Sequence, residues 1–260
     1  MLFPLLLFFF PLITLNAFVV DPWFNALAEF TFRPSYTCRY SHSAPNYVNR
    51  HTLHTNHIAL NLGVRFLPYW EAQVETDFSK AGAQIRYLLF EDVAGDLFSM
   101  VLGGQLLYVF QRRVHKATYH HHQAQANLRA EVGISIGKES ATLYQWLHRF
   151  YGFLGIGLDD RGHPWVRPFL SQEIKVARRH LLQLFAEGYV GLKSIVSHYS
   201  TCCVKRRPRS AVDLGIGYTY LLTIWGALSI RYTHHIYAHA GTRQAHHSLR
   251  VEYCLPFSLL

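Results

Sequence analysis

The stretch AEFTFRPSYTCRY, residues 28–40, decides the fold. In an extended chain successive side chains point to opposite sides. Ala28, Phe30, Phe32, Tyr36, Cys38 and Tyr40 then share one face, and Glu29, Thr31, Arg33, Ser35, Thr37 and Arg39 share the other. The first face is mainly apolar and aromatic, the second charged or hydroxylic. Charge of that density is too costly to bury in a dry interior. A strand with lipid on one side and a polar lumen on the other accommodates both faces.

The alternation recurs along the chain. Ile58, Leu60, Leu62, Val64 and Phe66 oppose His57, Ala59, Asn61, Gly63 and Arg65, and Trp70, Ala72, Val74, Thr76 and Phe78 oppose Glu71, Gln73, Glu75 and Asp77. Leu128, Val132, Ile134 and Ile136 oppose Asn127, Arg129, Glu131 and Ser135; Leu249, Val251, Tyr253, Leu255 and Phe257 oppose Ser248, Arg250 and Glu252. Weaker alternation surrounds Ile85, Leu106, Phe153, Ile174, Phe185, Ile216 and Ile230, where glycine and apolar residues enter the polar face as well. Together these segments predict an all-β protein, an antiparallel up-and-down transmembrane barrel of about twelve strands, each long enough to cross a bilayer at a tilt.

Connection lengths agree with that topology, in which short periplasmic turns alternate with longer external loops. Long connections are expected at Ser41–Thr55, Arg112–His122, Ser194–Arg209 and Ala238–His246, and short ones at Pro68–Tyr69, Arg178–His180 and Thr223. Two external crossings, near Lys80 and at Asp159–Pro164, are shorter than the rest. Tyr69, Trp70, Phe98, Tyr144, Trp146, Trp225 and Phe257 gather near the periplasmic ends, where an interfacial aromatic girdle belongs.

Half of the residues are hydrophobic, yet the mean hydropathy is only +0.05. Apolar residues are therefore interleaved with polar ones, and after Val20 no stretch is long enough for a membrane helix. The exception is Leu2–Val20, uncharged throughout and interrupted by Pro4 and Pro11, with the small Ala17 near its end. Residues 1–20 are read as an export signal and 21–260 as the barrel domain. The net charge of +9 would fit nucleic acid, but export removes that partner. Outer-membrane lipid and anionic lipopolysaccharide suit it better.

On these patterns the chain resembles Gram-negative outer-membrane β-barrels as a class, including their alternating last strand with a terminal aromatic, here Val251, Tyr253, Leu255 and Phe257. The stretch Leu158–Glu173, LDDRGHPWVRPFLSQE, resembles small chlamydial envelope proteins. The resemblance implies a bacterial outer-membrane location and, for the chlamydial kind, disulfide-linked envelope partners.

The polar faces place Glu29, Arg33, Arg65, Glu71, Glu75, Asp77, Arg86, Arg129, Glu131, Arg149, Glu187, Arg231, Arg250 and Glu252 in the lumen. Their charges nearly cancel, which suits either a salt-bridged plug or the lining of a narrow porin-like channel for small solutes or anions; a structural, surface-exposed protein is the other face of the first reading. Excess positive charge lies in loops, at Arg112, Arg113, Lys116, Lys205, Arg206, Arg207 and Arg209.

A barrel-embedded lipid hydrolase, of the phospholipase or lipid A deacylase type, is the rival. It needs a hydroxyl beside an imidazole, and His198 with Ser200 or His246 with Ser248 place both on one strand face. Loop histidines, densest at His120, His121 and His122, are solvated polar residues or weak metal ligands. No Cys or carboxylate completes a recognised metal motif with them, so no cofactor is expected. Cys38, Cys202 and Cys203, near the outer rim, are free thiols, an internal pair if closure brings them within reach, or bridges to other proteins. Gly152, Gly155, Gly157, Gly215 and Gly217 make no nucleotide loop, because no helix follows them; in strands they permit bending or close packing.

Overall fold

The computed structural model describes residues 21–24, 27–42, 53–77, 80–92, 97–110, 128–141, 146–160, 162–177, 179–192, 195–199, 202–206, 210–222, 225–239 and 245–258. The signal expected over residues 1–20 lies outside them, as do Arg112, Arg113, Lys116, His120, His121, His122, Tyr144, Ser200, Arg207 and Arg209.

Fourteen strands are formed: β1 (Glu29–His42), β2 (Leu53–Leu67), β3 (Trp70–Asp77), β4 (Lys80–Phe90), β5 (Ser99–Val109), β6 (Leu128–Ala141), β7 (Leu147–Asp159), β8 (Pro164–Val176), β9 (His180–Gly191), β10 (Ile195–Tyr199), β11 (Cys202–Arg206), β12 (Ser210–Leu221), β13 (Ala227–His239) and β14 (Ala245–Ser258). Twelve of them close into one antiparallel barrel in chain order, with β14 pairing β1 at the seam. Every segment read as a strand from alternation is a barrel strand. The remaining two, β10 and β11, form a separate hairpin within the connection from β9 to β12, where the sequence pattern predicts only a loop. Both are five residues long, too short to carry an alternation signal.

Period-two alternation decides what each wall presents. Val132 is 63% exposed, Leu184 58% and Ile156 56%, all on the outside, whereas Arg167 and Glu71 are 1% exposed on the inside. That reverses the distribution of a water-soluble protein. It is stable where the outer medium is hydrocarbon, because the closed barrel leaves no unpaired strand edge in lipid. Aromatic side chains near the periplasmic turns pair up: Trp70 with Tyr87 at 4.8 Å between centroids, and Phe90 with Phe98 at 5.8 Å. Among the described residues no helix is long and apolar enough to cross a membrane.

Candidate functional site

The lumen has two unlike walls. On β6 to β9 the inward glycines of β6 and β7 are covered by large rings from β7 and β8. Phe153 lies against Gly133 and Gly155, and Trp165 against Gly157, so closely that a Cβ on any of these glycines would overlap the ring. Arg167 is the hub of this wall. Its Nη2 donates to Glu131 Oε1 at 2.6 Å and its Nη1 to Glu187 Oε1 at 3.2 Å, while its guanidinium sits 4.6 Å from the centre of the Phe153 ring. Glu131 also accepts from the Trp165 indole at 3.0 Å and from Gln105 Nε2 at 2.8 Å. Buried charges are tolerated when paired and hydrogen-bonded in this way. Tyr151, Phe169 and Phe185 form a buried cluster on the same wall, with Phe169 and Phe185 stacked at 5.9 Å between centroids. The Tyr151 hydroxyl donates to Glu173 Oε1 at 3.2 Å, and Gln183 Nε2 reaches Ser171 Oγ at 2.9 Å.

The segment before β1 enters the barrel from the periplasmic end. Arg86 on β4 pairs with Asp21 at 3.3 Å and with Glu71 at 3.4 Å, and its guanidinium lies 4.8 Å from the Phe24 ring centre. Arg149 on β7 covers Trp23 at 4.8 Å, and Trp23 meets the edge of Tyr151 at 5.5 Å. Its indole donates to Asp92 Oδ1, which lies in the turn between β4 and β5, at 3.3 Å. Asp92 also accepts from Ser99 Oγ at 2.6 Å and from the Glu139 amide at 2.7 Å. Burial pushes the Asp92 carboxyl up, but these hydrogen bonds outweigh it and hold the group below the ordinary aspartate range.

The opposite wall, formed by β12, β13, β14 and β1, is not filled. A cavity of about 150 Å³ lies against it, lined there by Arg33, Arg231, Arg250, Glu252, Thr219 and Ser229. Arg231 and Arg250 are direct cross-strand partners, an arrangement of like charges that costs stability unless something is placed between them. Gly217 is the partner of Arg231 on β12 and adds no side chain to that space. Arg231 donates to Gln183 Oε1 at 2.9 Å and lies 4.9 Å from the Phe185 ring centre. Arg250 pairs with Glu252 at 2.6 Å, and the Thr219 and Ser229 hydroxyls bond each other at 2.8 Å. Asp21, Glu75 and Glu173 close the far side.

The structure thus gathers Arg33, Glu75, Arg231, Arg250 and Glu252 around the cavity, and places Glu71 with Arg86, and Glu131 and Glu187 with Arg167. Asp77 lies 3.9 Å from Lys80. Arg149 bonds Glu139 at 2.5 Å. Arg65 bonds the Pro68 carbonyl in the β2–β3 turn, while Glu29 and Arg129 pair on the strand ladders at opposite ends of their walls. The Asp21–Phe24 segment, Tyr151, Trp165, Arg167, Glu173 and Gln183 are further lumen residues that alternation alone did not single out. A readable signal was present at one point: Gly155 and Gly157 are spaced by two on β7, and Gly157 faces Trp165 on β8.

Ser248 stands in β14 opposite Arg39 and Thr233. The side chains of His198, His246, Cys202, Cys203, Lys205 and Arg206 lie outside the described residues, as does Ser200 altogether. Cys38 and Cys254 are free, half-buried thiols. Among the described residues no three His, Cys, Asp or Glu side chains are arranged to hold a metal ion.

No family model matches the chain, and no curated protein does. Solved structures of similar fold include an outer-membrane channel from Pseudomonas putida F1, with a TM-score of 0.55 at 11% identity over 90% of this chain and 98% of that one. The NanC porin has a TM-score of 0.51 at 12% identity over 86% of this chain and all of its own. Identities this low carry the fold alone. That fold, with its hydrocarbon-facing belt, is the one that spans bacterial outer membranes.

Proposed function

We propose that this outer-membrane barrel is a narrow channel, with its water-filled path displaced to the β12–β14 and β1 wall. The observation that carries the reading is the cavity of about 150 Å³ between that wall and the packed one. A barrel serving only as a solid structural element would gain by filling it, since rings already fill the facing wall. The path is tight, because Asp21, Trp23 and Phe24 occupy the periplasmic end. Small polar solutes fit; bulky ones do not. The basic external loops face anionic lipopolysaccharide in this reading and draw anions toward the mouth.

Single-channel recording from the refolded chain in a planar bilayer tests it. Discrete conductance steps of small, constant size are expected. Silence from protein shown to be folded by strand-rich circular dichroism and heat-dependent gel migration would overturn the channel.

A further inference from the structure

We infer that the cavity is an oxyanion site, at which the guanidinium groups of Arg33, Arg231 and Arg250 hold the carboxylate or phosphate of a small solute. This rests on the channel reading for how the solute arrives, but the site itself is argued from hydrogen-bond accounting within the cavity.

Every carboxylate that lines the cavity already has a protein donor. Glu75 accepts from Lys80 Nζ at 3.1 Å, Asp21 from Arg86 at 3.3 Å, Glu173 from Tyr151 at 3.2 Å and Glu252 from Arg250 at 2.6 Å. The donors are not matched in the same way. Arg33 Nε and Arg250 Nε are both buried without a hydrogen-bond partner. A guanidinium presents five donors and no acceptor, so its unmet capacity can be satisfied only by an acceptor. Asn61 Oδ1, unpartnered on the same lining, offers a single acceptor against these two donors.

Geometry agrees with the accounting. Arg231 and Arg250 stand directly across from each other on β13 and β14, and an anion between them converts a repulsive pair into a two-armed clamp. The cavity of about 150 Å³ has room for one small oxyanion with part of its hydration. Carboxylates across the cavity oppose net accumulation of anions, so binding is weak enough for the solute to leave again, as conduction requires.

The test uses the refolded full chain and two probes, inorganic phosphate and acetate, added to single channels carrying chloride current. Concentration-dependent interruption of the current by either probe is expected, with phosphate alone or both together defining which oxyanion the site accepts. Arg231→Gln and Arg250→Gln should each weaken the block about tenfold, the loss expected when one charge-assisted hydrogen bond is removed; heat-dependent gel migration establishes that each variant is folded. Conducting channels indifferent to both probes would overturn the oxyanion site and leave the channel standing. Should folded protein not conduct, titration calorimetry of phosphate into the detergent-solubilised barrel decides the site by itself. Heat lost in Arg231→Gln supports it without a channel, and the absence of heat in the unsubstituted chain overturns it.

Discussion

The β6–β9 wall and the β12–β14 wall are built from the same alternating strands, yet one is solid and the other hollow. The difference lies in what faces each glycine. Gly157 is covered by Trp165, and Gly133 and Gly155 by Phe153, so the missing side chains become beds for rings, and Arg167 caps the result. On the other wall only Gly215 is covered, by Phe185 from the neighbouring strand β9. Beyond it Gly217 faces Gln183, whose Oε1 and Cβ would lie 3.1 and 3.3 Å from an added Cβ, a tight contact but not an overlap. Its neighbours Thr219 and Ser229 are too short to cross the lumen. A glycine in a barrel wall therefore marks either the densest packing or the start of a void, and the residue opposite decides which.

The sharpest way to break this contrast is to remove the hub of the solid wall. Arg167→Ala leaves Glu131 and Glu187 buried without their cation, and a loss of about 3–5 kcal/mol is expected, read as a lower urea midpoint for unfolding in detergent. A loss below about 1 kcal/mol, the range of exposed pairs, would mean that the packed wall is more hydrated than its burial implies. The next effect compares glycines directly. Gly157→Ala forces Trp165 to move and should cost about 1–3 kcal/mol, whereas Gly217→Ala asks Gln183 to give by only a few tenths of an ångström and should cost less than about 1 kcal/mol. Equal costs would erase the distinction between the walls.

The smallest effect is confined to the periplasmic end. Because Asp92 titrates lower in the folded chain than in the unfolded one, its contribution is complete above the ordinary aspartate value of 3.8 and is lost as pH falls through the depressed folded value. Trp23 fluorescence should then shift to the red in acid below that range, and Asp92→Asn should abolish the dependence while the barrel stays folded. A shift near neutral pH would assign the effect to another group.

Much of the fold was legible because lipid enforces it. Ile58, Leu60 and Leu62 must face outward at every second position, and no tertiary contact can override that without exposing charge to hydrocarbon. The inward face was legible where it was charged, as at Glu71, Glu75 and Arg86 on β3 and β4. It was illegible on β7 to β9, because Tyr151, Phe153, Trp165, Phe169 and Phe185 are apolar on the lumen side as well, which flattens the alternation. Arg167 was hidden in that flattened stretch. The entry of Asp21–Phe24 into the lumen left no periodic trace at all, since a single pass of coil has no face to repeat. Whether the lumen held a void was equally beyond reach, since that depends on which strands closure brings together.

The N-terminal segment also has a mechanical meaning. Phe24 is gripped by Arg86 on β4 and Trp23 by Arg149 on β7, so a short piece of coil ties together two staves with β5 and β6 between them, like a strut in a hoop. A hollow hoop ovalises under sideways load, while a braced one keeps its outline. Lateral pressure from the bilayer therefore meets a braced rim at the periplasmic end.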